Sequence, residues 1–227
     1  KSVDGSKLFD MSVGANPVAI AFDGRNIWVV NRGDNTVSKI RTDGVRMGTF
    51  SVGVRPTAVA FDGENIWVAN GGGNSVTKLR ASDGMEIDTI AVGKSPAAIA
   101  FDGENMWVTQ SGVRNITRLR SSDGMNLGSL VAGDGQSAIA FDGSNMWVTN
   151  ERDNSVTKVR ASDGKTLETF PVGKRPEALA FDGVNVWVAN REDNTVRKLR
   201  AFDGKDLGSF DVGKRPQGIV FDGTYIW

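Results

Sequence analysis

A block of about 40 residues repeats along the whole chain. Phe-Asp-Gly recurs with one step of 39 residues and then steps of 40, starting at Phe22, Phe61, Phe101, Phe141, Phe181 and Phe221. A tryptophan follows each of them in register, at Trp28, Trp67, Trp107, Trp147, Trp187 and Trp227. Short units of this period are typical of solenoids and propellers, because one unit cannot bury its apolar faces without a neighbour. The repeat predicts a single domain over residues 1–227.

Within one repeat, apolar and polar segments alternate at the spacing of β-strands. In the last complete unit they predict four strands, at Glu177–Phe181, Val186–Ala189, Thr195–Arg200 and Leu207–Val212. Asp-Gly pairs at Asp182 and Asp203 are strong signals for tight turns between antiparallel strands. The second strand is apolar at consecutive positions, so we expect both of its faces to be buried.

Four antiparallel strands in 40 residues predict an all-β fold, a β-propeller of four-stranded blades. The Ala-rich first strand suits the crowded axis, and the charged third strand is expected in the solvated outer part of each blade. A β-solenoid is the alternative architecture. Its repeat is usually shorter and does not need two antiparallel Asp-Gly turns per unit.

The two ends of the chain together resemble one incomplete blade. Lys7–Val13 has the pattern of a fourth strand, whereas Gly218–Phe221 and Tyr225–Trp227 have the patterns of a first and a second strand. With the five units between them, this predicts six blades, the closing one shared between the termini and lacking its third strand. Seven or more blades are expected if the natural chain is longer, and the absence of an initiator methionine at Lys1 fits a mature or excised segment.

Composition narrows the possible functions. The chain has 27 basic residues (Lys and Arg) and 27 acidic residues (Asp and Glu), so no overall electrostatic field attracts it to nucleic acid or to an anionic membrane surface. No apolar run is long enough to insert in a bilayer. The chain has no Cys and no His, which excludes thiolate nucleophiles, Ser-His-Asp triads and the usual histidine-ligated metal sites. We therefore predict no cofactor and no bound metal.

The repeats resemble a known propeller family. Met146-Trp-Val-Thr-Asn150, then Asp153-Asn-Ser-Val156 and Phe170-Pro-Val-Gly-Lys-Arg-Pro176, are similar to the YVTN repeats of bacterial and archaeal β-propellers, with Trp in place of the family Tyr. NHL-type and streptogramin-lyase propellers are related. The resemblance implies an extracellular or cell-surface protein, usually without a catalytic function. The lyases depend on a histidine base and a divalent metal, and this chain has no histidine to take that role.

The links between repeats carry an excess of positive charge. Each link follows the pattern Gly-x-x-Pro or a variant of it, and its middle residues are Ala15-Asn16, Val54-Arg55, Lys94-Ser95, Asp134-Gly135, Lys174-Arg175 and Lys214-Arg215. Six of these twelve are basic and one is acidic. We expect the links to share one face of the propeller with the Asn-x-x-Asp-Asn loops, close to the central channel. This predicts a basic mouth that binds an acidic ligand; the alternative is that the charges only solvate turns.

Some positions depart from the repeat and are further candidates for the ligand site. The third repeat has Arg114 where others have Asn, and the next link reads Gly133-Asp134-Gly135-Gln136 without a proline. The first position of the predicted first strand varies, with Glu177 as its lone carboxylate and Gln217 in the last repeat. These departures predict either a side pocket or neutral variation in tolerant loops.

Tryptophan and aspartate have simpler explanations than ligand binding. Each Trp lies in a doubly apolar strand, so we predict core packing between blades rather than sugar or base stacking. The aspartates of the Asp-Gly turns are favoured there for backbone hydrogen bonds, and no EF-hand spacing points to calcium.

Three classes of function remain. A non-catalytic binding module for a protein, a small anion or an anionic glycan is favoured by the basic mouth. A hydrolytic or lyase-like enzyme would need paired carboxylates or a lysine-activated nucleophile. Glycosidase chemistry requires two carboxylates a few ångströms apart, and the innermost strands offer Glu177 alone. A purely structural surface repeat would need only stable blades.

Overall fold

The computed structural model describes residues 10–227, which form five antiparallel four-stranded sheets and contain no α-helix. Sheets 1 to 3 are built from β1 (Pro17–Phe22), β2 (Asn26–Asn31), β3 (Thr36–Arg41), β4 (Arg46–Ser51); β5 (Pro56–Phe61), β6 (Asn65–Asn70), β7 (Ser75–Arg80), β8 (Glu86–Ala91); and β9 (Pro96–Phe101), β10 (Asn105–Gln110), β11 (Asn115–Arg120), β12 (Asn126–Val131). Sheets 4 and 5 are built from β13 (Gln136–Phe141), β14 (Asn145–Asn150), β15 (Ser155–Arg160), β16 (Thr166–Pro171); and β17 (Pro176–Phe181), β18 (Asn185–Asn190), β19 (Thr195–Arg200), β20 (Asp206–Asp211). No helix of the described chain could cross a membrane.

Successive sheets are arranged as propeller blades. Within each sheet the strands pair in chain order, and the first strands of neighbouring sheets pack side by side from β1 through β5, β9 and β13 to β17. The predicted propeller architecture is confirmed, with the Ala-rich first strands innermost. The predicted strands of the last unit agree with β17–β20 to within about a residue at most ends.

The Phe-Asp-Gly turns orient the tryptophans. In the second repeat Asp62 Oδ1 accepts hydrogen bonds from the N–H groups of Glu64 and Asn65, while its Oδ2 accepts one from Trp67 Nε1 at 2.6 Å. Gly63 has φ of 103°, a conformation that glycine adopts without strain. In the fifth repeat, burial alone would raise the pKa of Asp182, but hydrogen bonds from Trp187 and Asn185 outweigh it and lower that pKa to about 2.

The hydrophobic core is divided into clusters between neighbouring sheets. Trp67 is fully buried and lies in one cluster with Ile99, Met106 and Leu119 of sheet 3. The same arrangement recurs at the other sheet-to-sheet interfaces, and Trp28, Trp107 and Trp147 are likewise fully buried. Core packing is therefore confirmed for these tryptophans.

Cations of the third strands join one sheet to the next. Lys78 lies directly opposite Trp67 in the sheet, its Nζ is 4.9 Å from the indole centroid, and it donates to the carbonyl of Ser121 in sheet 3 at 2.7 Å. Lys39 and Lys158 make equivalent contacts. These three side chains are buried, so the expectation that the charges of the third strand are solvated is wrong for them. The apolar stem and the cation–π contact explain their position.

The described chain has five complete blades, not the predicted six. Of the predicted N-terminal strand Lys7–Val13, residues 7–9 lie outside the described residues and 10–13 are not in a strand. Residues 220–227 form a short hairpin, which we call the C-terminal hairpin, with paired backbone groups of Val220 and Trp227. Within residues 10–227 no third strand pairs with this hairpin, and Trp227, predicted to be core, is 72% exposed.

Candidate functional site

The links and the Asn-x-x-Asp-Asn loops meet on one face, as predicted. In sheet 1 the N–H of Arg32 donates to the carbonyl of Asn16 at 3.0 Å, and in sheet 5 the N–H of Arg191 donates to that of Arg175 at 3.0 Å. These hydrogen bonds join each link to the loop after the second strand of the sheet that it enters. The predicted mouth therefore has a defined, hydrogen-bonded backbone.

The second residue of all six links adopts a left-handed conformation. Arg55, Arg175 and Arg215 have φ of 49°, 55° and 54°, which costs a non-glycine residue on the order of 1 kcal/mol. The N–H of Arg55 donates to Asn35 Oδ1 at 2.7 Å, and that of Arg215 donates to Asn194 Oδ1 at 2.9 Å. Asparagine side chains of the preceding sheet thus hold the link arginines in place.

Between sheets 3 and 4 the charges of the mouth neutralise one another. Asp134 is 3.0 Å from the Arg152 guanidinium and 3.5 Å from that of Arg114. Burial alone would raise the pKa of Asp134, but Arg152 and Arg114 outweigh it and lower that pKa. Arg114 and Asp134, both predicted as ligand residues, are therefore partners of each other.

Between sheets 4 and 5 two further arginines are paired. Arg175 Nε lies 2.6 Å from Glu151 Oε1, and its Nη1 lies 3.5 Å from Glu192. Arg191 is 3.1 Å from Glu177, the carboxylate that stood alone in the sequence pattern. This sector of the mouth is closed by ion pairs of the protein itself.

The remaining predicted residues divide into two groups. Gln136 is fully buried; its Oε1 accepts from the N–H of Gln110 and its Nε2 donates to the carbonyl of Gly133. It completes the link that lacks a proline and does not face the mouth, which corrects its prediction as a ligand residue. The other group consists of exposed residues without an ion pair within residues 10–227: Arg55, Lys94, Lys174, Lys214, Arg215 and Gln217.

A cavity of about 260 Å³ opens on the same face where sheets 1, 2 and 3 meet. It is lined by Arg32, Arg55, Thr57, Gly71, Gly72, Ser95, Pro96, Ala97 and Ser111. This lining contains two arginines and no carboxylate. Across the described part of the chain neither Arg32 nor Arg55 has an ion-pair partner, so both guanidinium groups are available to a ligand.

The repeat provides an internal comparison for this cavity. Its four defining residues are Arg32, Arg55, Thr57 and Gly71. The corresponding positions three repeats later are Glu151, Arg175, Glu177 and Arg191. There the same positions form two ion pairs. In the cavity Arg32 stands in place of Glu151, and Thr57 stands in place of Glu177. Gly71 stands in place of Arg191. The result is an open site with excess positive charge.

Gly71 keeps this cavity open, and the sequence analysis missed it. A Cβ at Gly71 would lie 2.7 Å from Thr57 Cγ2, so any side chain there would have to displace a wall of the cavity. The signal was the run Gly71-Gly72-Gly73, which stands where other repeats have polar loop residues. Arg32 was missed because it lies in a loop rather than in a link, while Arg55 was predicted.

Larger depressions lie on the opposite, Asp-Gly face. One of about 490 Å³ lies between sheets 3 and 4 beside Asp102 and Ser144, and a similar one of about 520 Å³ lies between sheets 4 and 5 beside Asp142 and Val184. Because both depressions lie at the same place between successive sheets, they are grooves that the repeat itself produces. Residues 10–227 include no group of three or more metal-ligating side chains.

Solved structures similar to this chain are β-propellers. A streptogramin B lyase aligns with a TM-score of 0.82 and 20% identity over 96% of this chain and 78% of its own. A catalytically inactive histidine-to-alanine variant of virginiamycin B lyase from Staphylococcus aureus, solved with quinupristin, aligns with a TM-score of 0.80 and 18% identity. The alignment covers 93% of this chain and 76% of the lyase.

A protein of unknown function from Desulfotomaculum acetoxidans gives a TM-score of 0.77 and 18% identity over 91% of this chain and 75% of its own. No family model matches the chain, and no curated protein matches it by sequence. At these identities the likeness shows the fold alone.

Proposed function

We propose that this β-propeller is a non-catalytic binding module that takes a small anion, a carboxylate or a phosphate, in the cavity of Arg32 and Arg55. The observation that carries the proposal is the internal comparison. Where sheets 4 and 5 meet, the protein supplies its own carboxylates to the arginines, and where sheets 1 to 3 meet no carboxylate of residues 10–227 does so. A ligand carboxylate or phosphate would take the place of the absent side chains.

The chemistry of the lining suits an anion. A guanidinium presents several N–H donors in a planar fork that can bind a carboxylate or a phosphate in a bidentate manner. The neighbouring hydroxyls are already donors to the backbone: Thr57 Oγ1 donates to the carbonyl of Pro96 at 2.9 Å, and Ser111 Oγ to that of Ser95 at 3.2 Å. The two arginines therefore supply the main free donors.

The volume restricts the ligand to a small molecule or a single acidic group. About 260 Å³ is just below the range of pockets that enclose drug-sized ligands, roughly 300–1,000 Å³. A nucleic acid also finds no aromatic platform here, because the lining contains no aromatic residue. The proposal accordingly names a small anion, or the acidic group of a larger molecule.

A lyase-like enzyme is the second candidate, favoured by the similar fold of the streptogramin lyases. Two features of this chain speak against it. It has no histidine, whereas loss of one histidine inactivates the virginiamycin lyase, and Glu177 is paired with Arg191 rather than with a second carboxylate.

The proposal predicts that neutralising either cavity arginine weakens anion binding. Titration calorimetry with inorganic phosphate and with succinate, run separately at low salt, will distinguish a phosphate site from a carboxylate site. We expect Arg32→Gln and Arg55→Gln each to raise the dissociation constant of the bound anion at least about tenfold, because each removes a charged hydrogen-bonding group. The melting temperature should stay nearly unchanged, since neither side chain has an ion-pair partner among residues 10–227.

Arg215→Gln is the matched control. Arg215 occupies the same link position, with the same left-handed φ and the same hydrogen bond from its N–H to an asparagine, but it lies outside the cavity. Its substitution should leave the affinity unchanged. Equal losses in all three variants would indicate nonspecific attraction to a basic face, and no binding of either anion to the wild-type chain would remove the proposal.

A further inference from the structure

The groove of about 520 Å³ between sheets 4 and 5, on the Asp-Gly face, has a lining that departs from the repeat. Val184 and Phe202 lie in its wall. In the matching groove between sheets 3 and 4, the corresponding residues are Ser144 and Ser162. The groove between sheets 4 and 5, which we call the apolar groove, is thus apolar at two positions where its neighbour is polar.

Both positions are polar in every other complete sheet. The residues that correspond to Val184 in sheets 1 to 4 are Arg25, Glu64, Glu104 and Ser144. Those that correspond to Phe202 are Thr42, Ser82, Ser122 and Ser162. Two independent changes from polar to apolar therefore meet in one groove, whereas single apolar residues scattered over a surface would need no explanation.

The exposure of these two side chains comes from their place in the blade. Phe202 is 87% exposed and Val184 is 63% exposed. Ser122 and Ser162, at the position of Phe202, are exposed as well, although a complete sheet follows each of them. The next sheet therefore does not cover this position, and the phenyl ring of Phe202 remains open to a ligand.

Backbone contacts hold the walls of the apolar groove in place. The N–H of Ala201 donates to the carbonyl of Val184 at 3.0 Å. From sheet 4, Lys158 Nζ donates to the carbonyls of Ala201 and Phe202 at 2.7 and 3.0 Å. Because these bonds join both walls within the protein itself, the groove is formed before a ligand binds, which lowers the entropic cost of binding.

The charged groups of the lining are already engaged. Its carboxylate, Asp142, accepts hydrogen bonds from the N–H groups of Ser144 and Asn145 and from Trp147 Nε1. Its ammonium group, Lys158, donates to the two carbonyls of sheet 5. An ionised ligand would lose hydration here without gaining a charged partner. The lining therefore favours an uncharged ligand.

Ser144 gives the apolar groove a polar contact. Its side chain is exposed, and its hydroxyl makes no hydrogen bond within residues 10–227. A carboxylate, Glu104, stands at this place in the groove between sheets 3 and 4. A serine hydroxyl can donate to or accept from a neutral polar group. The volume of about 520 Å³ lies within the range of small-molecule pockets, roughly 300–1,000 Å³.

We infer that the apolar groove binds a small uncharged molecule that carries an aromatic ring and a hydrogen-bonding group. The ring would pack against Phe202 and Val184, and the polar group would face Ser144 Oγ. This site lies on the face opposite the cavity of Arg32 and Arg55. It therefore takes a second class of ligand, independently of the proposed anion site.

The inference is tested with 4-fluorobenzyl alcohol, a neutral aromatic probe, titrated into the full chain and followed by fluorine NMR. We expect saturable binding at one site. Phe202→Ser and Val184→Ser restore the residues of the neighbouring groove, and each should weaken binding at least about tenfold because apolar contact area is lost. An excess of 4-fluorobenzoate, the charged analogue, should not displace the alcohol.

Val131→Ser is the matched control. Val131 is 66% exposed, as much as Val184, but it does not line the apolar groove. Its substitution should leave the affinity for the probe unchanged. All three variants should keep the wild-type melting temperature, since the substituted side chains are exposed.

Three results would overturn the inference. The first is a wild type that shows no saturable shift at millimolar probe. The second is a Phe202→Ser variant that binds the probe as well as the wild type does. The third is concentration-dependent association of the wild type in sedimentation that Phe202→Ser abolishes, with no binding of the probe, which would assign the groove to contact between copies of the chain.

Discussion

Trp67→Ala should lower the free energy of unfolding by about 3–5 kcal/mol, the range measured for truncating buried aromatic side chains. Trp67 is fully buried between sheets 2 and 3. Its loss opens a cavity, removes the indole beneath the Lys78 ammonium, and leaves Asp62 without its indole donor. Urea denaturation followed by circular dichroism measures the change.

Trp227→Ala is the matched control for this substitution. Trp227 occupies the same repeat position and makes the same hydrogen bond to the aspartate of its turn, but it is 72% exposed. Its replacement should change the stability by less than about 0.5 kcal/mol. Similar losses in the two variants would show that packing between sheets is not what stabilises the fold.

Gly53→Ala should destabilise the protein by about 1–3 kcal/mol, because it overpacks a tight link. A Cβ at Gly53 would lie 2.5 Å from Cγ of Asn70, which is fully buried. Asn70 cannot move aside cheaply, since its Nδ2 donates to the hydroxyls of Ser75 and Thr77 at 3.1 and 2.9 Å. The shift of the urea midpoint measures the loss.

Gly213→Ala isolates the steric cause of that loss. Gly213 has the same place in the last link, but a Cβ there would meet no atom within 4 Å. We expect its substitution to be neutral to within about 0.5 kcal/mol. A destabilised Gly213 variant would point to a backbone requirement for glycine instead of the collision with Asn70.

Local turn chemistry explains why the blades could be predicted. Asp-Gly turns and Gly-x-x-Pro links recur at fixed spacing, and the predicted strand Thr195–Arg200 coincides with β19. Each turn is fixed by contacts within a few residues, such as those of Asp62 with Glu64 and Asn65. Signals that act over such short distances can be recognised in a sequence.

Burial of individual side chains was harder to predict, because it depends on the neighbouring sheet. Lys78 is buried since carbonyls of sheet 3 accept its ammonium hydrogens, 43 and 44 residues further along the chain. Trp227 is exposed since no strand of residues 10–227 covers it, although its own repeat matches the others. The predicted number of blades was wrong for the same reason.

The candidate site was predicted only in part. The links indicated excess positive charge and identified Arg55, but a sequence does not show which charges meet. Arg175 has the same link position as Arg55, yet Glu151 lies 2.6 Å from it, whereas Arg55 has no carboxylate within reach in the described chain. That difference comes from the loops of adjacent sheets, where Arg32 replaces a glutamate and Gly71 replaces an arginine.

The proposed site is tested most directly by counting the anions that a variant binds. In this variant the ion-paired sector between sheets 4 and 5 is given the residues of the cavity of Arg32 and Arg55. The required substitutions are Glu151→Arg, Glu177→Thr, Arg191→Gly and Glu192→Gly. Titration with the anion that the wild-type chain binds should give one site in the wild type and two in this variant, with the circular dichroism spectrum unchanged. A folded variant that still binds one anion, or a wild type that binds none, would contradict the claim that missing carboxylates create the site.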